Sequence, residues 1–244
     1  MSLNGKIGRM AALAVAGAGL ALAAPASAGV VVKSSGPSAG QYPVGKKIAD
    51  SASITLKAGD SVTVLTGNGT RVIKGAGTHR VAERGTSKRS TFAVLTRQRS
   101  GARVRTGAVR AGTSAVAATN PNLWNLDVTQ GGKMCVADSG ALNLWRADTG
   151  AEATYMFGRT NSDFHVHVTF DEGVSQASLT DEDLPLSTGQ AYTLTGPNGG
   201  APNTVEFVVL DATPEGPEEM AAALAANGCQ SQLDLLADTM MIAE

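Results

Sequence analysis

The stretch LKAGDSVTVLTGNGTRVIKGAGTHRV, Leu56 to Val81, carries five glycines in 26 residues, at Gly59, Gly67, Gly69, Gly75 and Gly77. Glycines at that density either cradle phosphates or reverse strands, and the two readings lead to different proteins. Ile54, Leu56, Val62 and Val64 alternate with polar residues at the period of a half-buried strand. Lys57-Ala58-Gly59-Asp60 reads as a turn between them. Asn68-Gly69 has the composition of a tight hairpin centre, because both residues tolerate positive φ. Thr70 to Lys74 supplies a return strand before Gly75-Ala76-Gly77, which leaves no room for a helix. A dinucleotide fingerprint needs a third glycine where Val72 or Arg80 stands, and a P-loop needs a glycine before Lys74, where Ile73 stands. The glycines therefore predict a run of hairpins, and Lys57, Arg71, Lys74 and Arg80 become part of a basic β surface.

Upstream, Lys6 and Arg9 precede an apolar run from Met10 to Ala24 and then Pro25-Ala26-Ser27-Ala28. Ala26-x-Ala28 is a small-residue cleavage pattern, so residues 1–28 are expected to be a signal peptide cut before Gly29. The run is shorter than the roughly 20 residues a spanning helix needs, the alternative being an uncleaved anchor. The expected product is periplasmic or secreted, without a transmembrane span after cleavage. Two cysteines, Cys135 and Cys229, suit that oxidising compartment and are expected to form one disulfide. Neither lies in a C-x-x-C pair or near a histidine in sequence, as a redox or nucleophilic cysteine would.

Charge divides the chain near its middle. Residues 29–118 hold 15 Lys and Arg against three carboxylates, whereas residues 119–244 hold three cations against 18 carboxylates. The switch falls in the small-residue stretch RTGAVRAGTSAVAATNPN, so residues 106–121 read as a linker. Residues 29–105 are then a basic β domain, with a short helix expected near 90–99, N-capped by Ser90 and half-burying Phe92, Val94 and Leu95. Arg97, Arg99, Arg103, Arg105 and Arg110 follow as a candidate anionic-partner cluster, the alternative being an ordinary solvated face.

Residues 122–244 form the acidic domain. Strands are expected at Leu123–Val128, Met134–Val136, Leu142–Trp145, Phe164–Phe170, Ala191–Thr195 and Val205–Leu210, with turns at Asp171-Glu172-Gly173 and Pro197-Asn198-Gly199-Gly200. Trp124 and Trp145 are expected core anchors. Gly216-Pro217-Glu218-Glu219 starts a helix and Asn227-Gly228 stops it. Leu233, Leu236 and Met240 then recur at helical spacing, so a helical hairpin is expected to cover an open sheet face or edge. The fold class is thus mainly β: two β-rich domains, the second a sandwich or small barrel closed by a C-terminal helical hairpin.

The run VVVKSSGPSAGQYPVGKKIADSASITLKAGDSVTVLTGNGTRVIKGAGTHRV resembles the β-strand module of FecR-type periplasmic proteins, with its rhythm of strand, x-x-G-D, strand, glycine turn, strand, G-x-G. The whole chain, including Gly107-Ala108-Val109-Arg110, Leu123-Trp124-Asn125-Leu126-Asp127 and Gly228-Cys229, is also similar to uncharacterised exported bacterial proteins. FecR-type regulators carry a cytoplasmic segment and a membrane helix, neither of which is expected here, so the resemblance implies the β module and not the signalling role.

Two motifs invite an enzyme reading. Gly36-Pro37-Ser38-Ala39-Gly40 satisfies G-x-S-x-G, but a nucleophile elbow needs a helix directly afterwards, and Pro43 argues against one. A plain loop after the first strand is expected instead. His165-Val166-His167 sets two imidazoles on one side of a strand, with Asp163 on the same side, which suits a metal. Asp181-Glu182-Asp183 reads as a solvated loop. These observations lead to a non-catalytic interaction or structural protein of the cell envelope, its partner an envelope protein, an anionic glycan or a lipid headgroup, with no cofactor and no nucleic acid. The alternative is a metal-dependent envelope enzyme using His165 and His167.

Overall fold

The computed structural model describes residues 28–81, 88–97, 118–138 and 140–241. The described chain begins with six strands: β1 (Ala28–Ser35), β2 (Lys47–Ala49), β3 (Ser53–Leu56), β4 (Ser61–Thr66), β5 (Gly69–Lys74) and β6 (Gly77–Arg80). They form a four-stranded sheet in the order β2-β1-β4-β5 and a separate two-stranded ladder of β3 with β6. Val31, Ile48, Ile54, Leu56, Val62, Val64, Ile73 and Val81 fill the space between the two.

The opening stretch is strand-turn-strand as its glycines require, but it contains only one hairpin. β4 and β5 pair from Ser61↔Lys74 to Thr66↔Gly69, so the loop is Gly67-Asn68, one residue earlier than the sequence suggests. Asn68 keeps negative φ, while Gly69 opens the return strand at φ 137°. The turns at Lys57–Asp60 and Gly75-Ala76 carry the chain from one sheet to the other, which is why β3 finds its partner in β6. The alternation in β4 also understates its burial: Thr63, Leu65 and Thr66 are buried along with Val62 and Val64. Its second face is covered too, by residues from the far end of the chain.

After the short helix α1 (Arg89–Leu95) come β7 (Asn125–Asp127), β8 (Gly132–Val136), β9 (Ala141–Trp145), β10 (Ala153–Arg159), β11 (His165–Phe170), β12 (Gln176–Thr180), β13 (Ala191–Thr195) and β14 (Asn203–Val209). A five-stranded sheet, β11-β10-β13-β14-β8, packs on a three-stranded one, β12-β9-β7. Phe157, Phe170, Tyr192 and Phe207 are fully buried between them, with edge-to-face contacts of Phe207 on both Phe157 and Tyr192. Trp124 and Trp145 are buried as expected. Two strands escape the sequence pattern. β10 holds Ala153, Met156 and Gly158 among its residues, and edge strand β12 buries only Leu179. In α1, Phe92 and Leu95 are buried, but the cap is Lys88, not Ser90, and Val94 is 58% exposed.

The last two elements are α2 (Pro217–Asn227) and α3 (Gln230–Thr239). Pro217 opens α2, Glu218 and Glu219 occupy its first turn, and Gly228 closes it in the left-handed region at φ 73°. The pair packs on β1 and β4 of the first sheet and on β8 of the second. Met220, Leu224, Leu233, Leu236 and Met240 are fully buried there, in one apolar cluster with Val30, Val32 and Leu65 from the basic half and Leu123, Trp124 and Cys135 from the acidic half. The helices thus lie between the two β units and bury a face of each. The Cys135–Cys229 disulfide, Cα–Cα 5.8 Å, ties the joint between α2 and α3 to β8. No described helix is long and apolar enough to cross a membrane.

Candidate functional site

The basic surface is carried by turn and edge residues. Lys33, Lys46, Lys47, Lys57, Lys74 and Arg80 are all exposed, whereas Arg71 is half-buried and donates from its guanidinium to the Arg80 carbonyl at 2.8 Å. Arg97 is exposed, and its carbonyl accepts from Asn122 Nδ2 at 2.7 Å. Arg99, Arg103, Arg105 and Arg110 lie outside the described residues, as do residues 1–27 of the expected signal peptide and most of the linker; Ala28, its last residue, opens β1.

The G-x-S-x-G stretch is a structural loop. Ser38 is 1% exposed at the head of a 3-10 turn (Ala39–Gln41), and its N–H donates to Asp60 Oδ1 at 2.9 Å. Asp60 is itself 3% exposed and also accepts from the Lys57 N–H. Burial pushes the Asp60 carboxyl up; the Ser38 and Lys57 groups donating to it outweigh that and hold it below the usual carboxylate range. The Gly-Asp turn therefore works by clamping the 36–38 loop with a buried carboxylate. A nucleophile would need its hydroxyl in the open, and Ser38 has the opposite placement.

The acidic loops are self-bonded in the same way. Asp127 Oδ1 accepts from Thr129 N–H and hydroxyl, and Asp183 Oδ2 accepts from Thr180 N–H and hydroxyl, both at 2.8 Å. The Thr180 donors hold the Asp183 carboxyl below its ordinary range. Arg146, 3% exposed, donates to the carbonyls of Ala151, Val174 and Asp171 and lies 5.2 Å from the Phe170 ring, so it ties two loops together. An open groove of about 430 Å³ runs between the β7–β8 turn and α3. Its charged groups are engaged: Lys133 with Glu206 at 3.4 Å, Asp127 with Thr129, and Asp234 with Gln230.

His165 and His167 sit on edge strand β11, both exposed, their ring centroids 5.1 Å apart. His165 Nδ1 lies 2.9 Å from the Asp163 carbonyl oxygen. Asp163 thus contributes its backbone to this site. Among the described residues no group of three or more His, Cys, Asp or Glu comes together as a metal set, so the expected His165, His167 and Asp163 triad is not assembled by its carboxylate. The sequence also gave no sign of what lies across the strand pair. His167 is directly opposite Met156 of β10, and His165 opposite Gly158.

No protein-family model, no curated protein and no solved structure matches this chain.

Proposed function

We propose that this protein is a non-catalytic, exported interaction protein of the bacterial cell envelope, FecR-like in its first β unit and working in the periplasm or beyond it after signal cleavage. Its basic unit binds an anionic envelope component, a glycan or a lipid headgroup. One observation carries the reading: the two oppositely charged halves meet through apolar side chains, Val30, Val32 and Leu65 against Met220, Leu224 and Leu236. Their attachment makes no demand on the exposed Lys33, Lys46, Lys47, Lys57, Lys74 and Arg80, which are left to face an outside anion. The mature chain should be retained on phosphatidylglycerol vesicles or on an immobilised anionic polysaccharide and released by salt, since screening shortens the reach of exposed charges. The vesicle and polysaccharide arms distinguish the two sources. Retention on neither at low salt, or retention that salt leaves unchanged, overturns the proposal.

The second reading, a metal-dependent envelope enzyme on His165 and His167, has the paired rings in its favour. Metal analysis of untagged protein tests it, together with hydrolytic assays of the metal-loaded chain.

A further inference from the structure

We propose that His165, His167 and Met156 form a surface site for one copper ion, held best as Cu(I). The argument starts from strand register. β10 and β11 are antiparallel, with Met156 paired to His167 and Gly158 to His165. Directly opposed side chains stand about 4.5–5.5 Å apart at Cβ on the same face. That face is the outer one: His165 and His167 are exposed and Met156 is 39% exposed, while Phe157 and Val168, next in sequence to Met156 and His167, lie in the sandwich core and the intervening Val166 packs against it. Two imidazoles and one thioether thus converge on one patch of open sheet. Gly158, opposite His165, places no side chain in it.

The His165 ring is oriented as a metal ligand requires. A carbonyl oxygen can only accept, so the contact with Asp163 places a proton on Nδ1 and leaves Nε2 as the nitrogen a metal would take. Ligating histidines characteristically donate their second ring N–H to such a carbonyl, which fixes the tautomer. An ion about 2 Å from each imidazole nitrogen needs those nitrogens within about 4 Å of each other, and rings with centroids 5.1 Å apart reach this by side-chain rotation alone.

The third donor selects the metal. A thioether is a soft, neutral ligand that suits Cu(I), whereas zinc, manganese and magnesium favour imidazole, thiolate or oxygen donors. Met156 is one of the two exposed large apolar methionines among the described residues, the other being Met241 in a different part of the fold. The site goes beyond the anionic-partner reading and does not depend on it.

The test is competition between the untagged mature chain and a chromogenic Cu(I) chelator, with Cu(II) and Zn(II) titrated in parallel. The expected result is one Cu(I) per chain. Met156→Leu should weaken Cu(I) at least tenfold and change Zn(II) less than threefold; His165→Gln and His167→Gln should each weaken both. His79→Gln, Met241→Leu and Asp163→Asn serve as controls and should match the wild type. Because all three ligands are exposed, circular dichroism should show every variant folded. Absence of stoichiometric Cu(I), or Cu(I) affinity unchanged in Met156→Leu, overturns the proposal. So does an equal loss in the Met241→Leu control.

Discussion

Single buried polar side chains hold the two β units in shape. Gln232 of α3 is 6% exposed; its Oε1 accepts from the Cys135 N–H at 2.7 Å, and its Nε2 donates to the carbonyls of Cys135 and Leu123 at 2.8 and 2.9 Å. It stands where a neighbouring strand would, on the free side of β8. Gln232→Leu keeps the volume but removes those partners, at about 1–3 kcal/mol for each buried group left unsatisfied. Denaturant unfolding of this variant should show the loss, and a stability equal to wild type would refute the edge-cap role. Asp60 makes a pH-dependent contribution. Its folded value is lowered, so the stabilisation is complete above the ordinary value of 3.8 and is lost as pH falls from there through the folded value. Acid unfolding of Asp60→Asn should therefore show a weaker pH dependence below about pH 4 than wild type. Gly36, at φ 99°, would place a Cβ 2.7 Å from the Gly59 carbonyl oxygen, so Gly36→Ala should cost well over about 1 kcal/mol in the same clamp.

At the scale of elements, local chemistry and burial part company. The C-terminal helices were legible because their signals sit within a few residues: Pro217 and the two glutamates at the start, Gly228 at the stop, and Leu233 and Leu236 one turn apart. The β4–β5 hairpin was legible for the same reason, though its loop falls at Gly67-Asn68. β10 was not, since Met156 and Gly158 break the strand pattern and its neighbours on both sides, β11 and β13, supply the pairing. The disulfide joins two such elements across 94 residues, and loop-closure entropy puts its worth on the order of 4 kcal/mol. Replacing both cysteines by alanine should lower the unfolding free energy by an amount of that order. A change below about 1 kcal/mol in equilibrium unfolding would mean that α2 and α3 hold to β8 without it.

For the whole molecule, the decisive feature is the apolar cluster shared by the charged halves. Trp124 lies in that cluster, and Trp145 is buried in the second unit. If the shared core makes unfolding cooperative, Trp124→Phe and Trp145→Phe variants, each reporting through the remaining tryptophan, should share the midpoint seen by circular dichroism. Salt should leave them coincident, because apolar contacts carry the junction. Midpoints that separate at high salt would show that charge attraction holds the halves together.

The candidate sites divide along the same line. His165 and His167 could be read as a pair because alternation along one strand is local; Met156 could not, because its approach depends on the register of β10 with β11. By itself the sequence determined the β-rich character, the turns, the C-terminal helical pair and the cysteine partners, all of which follow from backbone preferences of near neighbours or from there being only two cysteines. Only the tertiary structure decided that β3 pairs with β6, that β4 is buried on both faces, and that Met156 stands opposite His167. Those outcomes depend on which distant surfaces exclude water together, and a sequence read residue by residue contains no term for that.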